Sequence, residues 1–360
     1  MGELRHSSLT LRILVTASAA TVLGLVLSAV PILSATTSAA VRVNPPTFPG
    51  TNCPAFPANN VWNTAITTLP VNSNSATWLA SMSSGTTNLH PDYGPSGNPR
   101  APYGIPWTVV RKNTAFTHIT FQYASESNQR PYPLTASTPI EGGSDRHALM
   151  VDPYRSATSA PCTLFETFDT YYHASGRSTA GSGATWNLRS NALRTASFTS
   201  ADAAGLPILP GLVNYNEVAS HVMDHAIRFT ADCTQQSFLW PARHEAGQNT
   251  QSCPPMGARF RLNASFSLPA SQCSVFCQTV LTTMKTYGLI LADNGSNWYF
   301  QGTADTRWTY TEVDQLKAIP ASQFVAVDES CLMVTPNSAQ ALQPGSTQYE
   351  AKCAAPVGTS

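Results

Sequence analysis

Charge is scarce in this 360-residue chain: 20 Lys and Arg and 20 Asp and Glu make up only 11% of it and cancel to a formal net charge of zero. No Lys/Arg block occurs, so the electrostatic footprint of a nucleic-acid binder is missing and nucleic acid is not an expected partner. The signatures of several enzyme classes are also missing. Gly181-Ser182-Gly183 and Gly142-Gly143-Ser144 do not make the G-x-S-x-G elbow of a serine hydrolase. His221 and His225 are four apart, but no Glu follows the first as in a zincin, and the residues after His225 read as strand. Asp293-Asn294-Gly295-Ser296-Asn297 lacks the spaced carboxylates and distal Glu of a calcium loop and reads as an Asn-Gly turn.

What is present begins with an export pattern. Arg5 and Arg12 lead into an uncharged, mostly apolar stretch over 13–33, followed by the small residues Thr37-Ser38-Ala39-Ala40, the order of a secretory signal cut near Ala40. The expected product is secreted and extracellular, with no stable membrane span after removal of residues 1–40. Neither a lipoprotein cysteine nor a twin-arginine pair accompanies it. All eight cysteines, Cys53, Cys162, Cys233, Cys253, Cys273, Cys277, Cys331 and Cys353, lie beyond that point. An even count in an oxidising compartment predicts disulfides. Four bridges are expected, and the sequence leaves their connectivity open: close pairs such as Cys233/Cys253 and Cys331/Cys353 would close short loops, and Cys53 could tie the N-terminal segment to Cys162. Cys273 and Cys277 lack the second Cys or His pair of a zinc site, so a structural bridge is expected there.

Organisation follows from texture. Residues 41–106 read as a Pro-rich arm and a long Gly/Pro/Asn loop, because proline removes a donor and biases its predecessor away from helix. Residues 107–328 read as one β-rich core, and 329–360 as a disulfide-tethered tail. Short strands separated by turn residues are expected over 107–110, 119–123, 148–152, 163–172, 185–188, 225–230, 237–241, 258–266 and 289–292. Helices are expected at 75–82, at 274–287 ending on Gly288, and at 311–319. Many strands, few helices and no βαβ alternation predict a mainly β fold, a β-sandwich or jelly roll with two or so short helices, stabilised by disulfides; a β-barrel is the alternative.

Three stretches place histidine beside charge: Asp145-Arg146-His147, Asp224-His225 and Arg243-His244-Glu245. Strand period puts His147 on the side of Leu149 and Val151, His225 with Ile227 and Phe229, and Glu166 with Leu164 and Phe168. A single buried histidine is most simply a hydrogen-bonded core group. Three titratable groups facing apolar neighbours point instead to a cleft in which a carboxylate among imidazoles moves protons near neutral pH. The expected catalytic set is His147, Glu166, His225, His244, Asp145 and Asp293, with Glu141 and Asp224 as further carboxylates for a paired-acid glycosidase. Arg243, Arg259 and Arg261, the last two on one face of their strand, are expected to bind substrate, as a lyase would need to neutralise a uronate. Trp298 and Tyr299 are expected as sugar-stacking platforms, with Trp186, Trp240 and Trp308 as further aromatics. No cofactor is expected, although His147, His225 and His244 have the residue types of a three-histidine metal site.

The segments Trp186-Asn187-Leu188-Arg189-Ser190, SADAAGLPILPGL (200–212), His225-Ala226-Ile227-Arg228-Phe229 and KTYGLILADNG (285–295) resemble a group of secreted bacterial proteins that has no assigned function, over nearly the whole mature chain. The resemblance implies export and a single compact domain, and transfers no catalytic residue. The expected function is therefore a secreted carbohydrate-active enzyme, glycoside hydrolase or polysaccharide lyase, whose partner is a polysaccharide or cell-surface glycan. The competing class is a non-catalytic surface or polysaccharide-binding protein.

Overall fold

Ordered along the chain, a computed structural model places short strands and helices around long connections; it describes residues 45–96, 103–154 and 162–353. The segment expected as a signal, 1–40, lies outside the described residues. The strands are β1 (His90–Asp92), β2 (Trp107–Val109), β3 (Ile119–Phe121), β4 (Ala148–Asp152), β5 (Thr163–Phe168), β6 (Ser178–Ala180), β7 (Ser182–Asn187), β8 (Ile227–Ala231), β9 (Arg259–Leu262), β10 (Leu289–Asn294), β11 (Tyr299–Gln301) and β12 (Phe324–Val327). The helices are α1 (Ser75–Ser81), α2 (Tyr215–Ala219), α3 (Val275–Thr286), α4 (Tyr310–Leu316) and α5 (Thr347–Cys353).

The fold is mainly β and its sheets are open. One six-stranded sheet runs β1-β11-β8-β10-β9-β12, a four-stranded one β2-β4-β5-β7, and β3 pairs with β6. Several pairs are parallel, among them β8 with β10 and β2 with β4. A parallel pair needs a crossover; the chain leaves β8 through β9 and returns through α3, so that β10 inserts between β8 and β9. The segment expected as a strand over 237–241 makes only a bridge, Phe238 with Met256.

The four-stranded sheet shows how alternation sorts side chains. β4 and β5 pair antiparallel with Leu149 opposite Glu166 and Val151 opposite Leu164, and β7 sets Ala184 opposite Glu166. Leu149, Val151, Leu164 and Trp186 thus enter the main core, while Met150 and Phe165 turn to a smaller one with Ile119, Phe121 and Tyr132. α3 begins on Ser274, whose hydroxyl accepts from the Cys277 amide, and is followed by Gly288 at φ +71, the expected end of the helix.

Four disulfides join Cys53–Cys162, Cys233–Cys253, Cys273–Cys277 and Cys331–Cys353. Each removes loop-closure freedom from the unfolded chain, the first across 109 residues. Such bonds persist in oxidising compartments. Arm and tail are packed down: Phe48 and Tyr349 are both buried in the main core. No helix among the described residues is long and apolar enough to cross a membrane.

Candidate functional site

The site starts from a charge that a strand should not hold. Arg228 sits in β8 between Ile227 and Phe229 and is fully buried, a position that demands an anionic partner. Asp202 supplies it: Nη2 donates to Oδ1 at 2.7 Å and Nε to Oδ2 at 3.0 Å, with no Asp202 side-chain surface left exposed. Asp202 is carried by the 200–212 loop, whose shape is fixed locally. The Ser200 hydroxyl accepts from the Asp202 amide at 2.9 Å and donates to the Leu206 carbonyl. Gly205 follows at φ +66, and a Cβ there would lie 2.5 Å from the Phe198 carbonyl, so only glycine fits.

A second carboxylate reaches the same guanidinium. The β10–β8 register slips between Leu291 and Asp293, and such bulges re-aim side chains. Asp293 Oδ2 comes 3.6 Å from Arg228 Nη2 with 24% of its side chain exposed. Its Oδ1 accepts from the Asn294 amide. Burial and then the charge of Asp202 raise its pKa well above the ordinary carboxylate value. Asp202 and Asp293 share one cation, so a proton retained on Asp293 relieves their repulsion.

The loop that carries Asp202 is also met by His147, which is paired with Glu141. The five intervening residues close into a loop in which the Glu141 amide donates to the His147 carbonyl at 2.9 Å and the His147 amide to Glu141 Oε2 at 3.3 Å. His147 Nδ1 is 2.6 Å from Glu141 Oε2, and Nε2 is 3.1 Å from the Ala201 carbonyl. Two acceptors, one on each ring nitrogen, fit an imidazolium. Burial lowers the His147 pKa, but the bond and charge of Glu141 outweigh it and the net shift is upward. For Glu141, burial raises the pKa, yet His147 and then Arg228 hold it below the ordinary range. His147 is 3% exposed and Glu141 19%.

Sign follows from these directions. The raised His147 pKa contributes stability that is complete below about pH 6.5 and is lost as pH rises through the native value. The depressed Glu141 pKa contributes stability present above about pH 4.5 and lost as pH falls through its native value. Glu141→Gln leaves burial as the dominant influence, so the His147 pKa should fall below 6.5, read by NMR titration of the imidazole. A value still above 6.5 would assign the upward shift to Asp293 instead.

Beside Asp293 lies a recess of about 380 Å³ lined by Tyr123, Glu126, Phe168, Ser200, Asp202 and His244, among others. His244 Nδ1 meets the Ala203 carbonyl at 2.7 Å and Nε2 faces Glu126 at 3.8 Å. Both side chains are partly exposed.

Of the residues expected from sequence, His147, Glu141, Asp293 and His244 thus fall around Arg228 and its adjoining recess, whereas His225, Glu166 and Asp145 do not. His225 occupies a separate recess, buried, with Nε2 3.1 Å from Glu217 and Nδ1 2.8 Å from the Ala226 carbonyl. Glu166 is fully buried and holds the 200–212 loop, accepting from the Ile208 and Leu209 amides and from Trp186 Nε1. Burial pushes its pKa up to about 7 against those donors. Substrate has no path to it, so we reassign it as an anchor of the loop that carries Asp202. Asp145 is an exposed turn residue bonded to Ser144.

The three arginines expected at substrate are bound to the protein itself. Arg259 is fully buried on the carbonyls of Val61, Thr64 and Tyr287 and on Glu329. Arg261 donates to the Ile66 and Leu69 carbonyls. Arg243 donates to the carbonyls of Arg194 and Pro336 and to Asn337 Oδ1. Loops that bury carbonyls without a ladder need such donors, and strand parity cannot tell this surface from a wet one. Trp298 is likewise core, donating to the Met82 carbonyl, whereas Tyr299 is half-buried and stacked on His90 at 4.0 Å between centroids.

Both nitrogens of His147 and of His225 face other partners, and among the described residues no group of three or more His, Cys, Asp or Glu is arranged to hold a metal ion. Sequence reasoning passed over Asp202 and Arg228. The signal was there: an arginine between Ile227 and Phe229 in a strand has to be paired.

Comparison with protein-family models, with curated proteins and with solved structures returned no match.

Proposed function

We propose that the protein is a secreted glycoside hydrolase acting on an extracellular polysaccharide, with Asp293 as general acid and Glu141 as the carboxylate base. One observation carries the reading: of two partly exposed carboxylates whose pKa values are shifted in opposite directions, Glu141 is bonded to His147 and Asp293 lies beside Arg228. Environments that push two carboxyls apart in this way divide the roles of acid and base between them. Asp293 gives its proton to the glycosidic oxygen as the bond to the anomeric carbon breaks. Glu141 accepts a proton from the water that adds to that carbon. The export pattern and four disulfides support action outside the cell.

Hydrolysis is favoured over elimination by the state of the cations. A lyase needs a positive group free to neutralise a uronate, and Arg228 has two donors bound to Asp202 while Arg243, Arg259 and Arg261 bind backbone. Purified mature protein incubated with a polysaccharide panel should release reducing ends from at least one neutral polymer without generating unsaturated uronate. Unsaturated products would replace hydrolysis with elimination; retention on a polymer with neither signal would leave a binding protein.

A further inference from the structure

The face of the six-stranded sheet that carries Arg228 continues past the carboxylate pair. β11 runs antiparallel to β8 with Tyr299 opposite Thr230 and Phe300 opposite Phe229, so Gln301 lies on the Arg228 side of the sheet. β1 pairs with β11 in parallel, Asp92 beside Gln301 and His90 beside Tyr299. Gln301 Nε2 donates to Asp92 Oδ2 at 3.3 Å, and the exposed Tyr103 hydroxyl donates to Asp92 Oδ1. Tyr103 lies close enough to Glu141 to feel its charge. Gln301 is 5% exposed, and its Oε1 has no hydrogen-bond partner, a state that buried amides rarely keep.

Resting on the glycosidase reading above, we propose that Asp92, Tyr103 and Gln301 form a sugar subsite beside Glu141 that recognises a neutral glycosyl unit through two adjacent hydroxyls. The chemistry fits donor to acceptor. One hydroxyl donates to Asp92, which the bond from Tyr103 holds in place, and its neighbour donates to Gln301 Oε1. The Tyr299 ring stacked on His90 provides a flat apolar surface at the edge of the same patch. A uronate is disfavoured there because Asp92 repels it, while Lys317, the lysine whose charge reaches His90, is paired with Asp314 at 2.7 Å.

The test separates binding from turnover. In an Asp293→Asn background, methyl glycosides of glucose, galactose, mannose and glucuronic acid are titrated by ligand-observed NMR, with and without Asp92→Asn or Tyr103→Phe. At least one neutral glycoside should bind, and Asp92→Asn should weaken it about tenfold or more because a charge-assisted bond is lost. Tyr103→Phe should weaken it less, and the glucuronide should bind worst. Binding unchanged in both variants, no binding of any neutral glycoside, or preferred binding of the glucuronide overturns the proposal. If the otherwise unaltered enzyme hydrolyses a polymer while Asp92→Asn binds normally, the subsite fails and the glycosidase reading survives. If binding depends on Asp92 but no glycan is ever cleaved, the subsite survives and the glycosidase reading fails.

Discussion

Asp293→Asn should lower the turnover of glycoside cleavage by about 10²–10⁴-fold, the usual contribution of a positioned general acid, while leaving the fold intact. Asparagine has the same size and keeps an oxygen to accept from the Asn294 amide; it loses only the transferable proton. Stability should move the other way. A carboxyl whose native pKa is raised loses stability as pH rises from its unfolded value through its native one, and asparagine removes that loss, so the variant should match or exceed its parent in chemical denaturation above the native pKa. The pH profile carries the same signs. Activity should fall on the alkaline side as Asp293 ionises and on the acid side as Glu141 is protonated, at a pH below the ordinary carboxylate range. Turnover within a few-fold of the parent, or an alkaline limb unchanged by the substitution, removes Asp293 from the role of acid.

The strand period made part of this site legible before any coordinates. It put His147 on the side of Leu149 and Val151, and Glu166 on the side of Leu164, and the β4–β5 and β5–β7 registers show the sides from which these neighbours enter the main core. The even cysteine count likewise pointed to four bridges, and spacing suggested pairs without fixing them; the structure supplies the pairing. Period says which face a side chain takes, but not what covers that face. Arg259 and Arg261 share a side as expected, yet the cover is backbone carbonyl from the N-terminal connection rather than solvent or sugar. Convergence was less legible still. The three histidines share a residue type but not a place, because His225 is drawn to Glu217 of α2 while His147 is held by the loop from Glu141. Asp293 reaches Arg228 through a one-residue slip in register, which hydrophobic alternation does not encode.

Arg228→Met should be the most destabilising single change in the site, by about 3–5 kcal/mol, because it leaves Asp202 buried and ionised without its partner. The methionine fills much of the same volume, so the loss measures charge rather than cavity. Asp202→Leu in the same chain should restore most of that stability, since a buried pair replaced by apolar residues is often neutral or better. Turnover should not return with it. In the double variant Asp293 has lost both the neighbouring charge that helps it retain a proton and the cation it shares with Asp202. Denaturation midpoints and turnover measured on both variants therefore separate two roles that the single variant confounds. A double variant that is both stable and fully active would mean that the Asp202–Arg228 pair only holds the 200–212 loop onto β8, and that the acid chemistry does not depend on it.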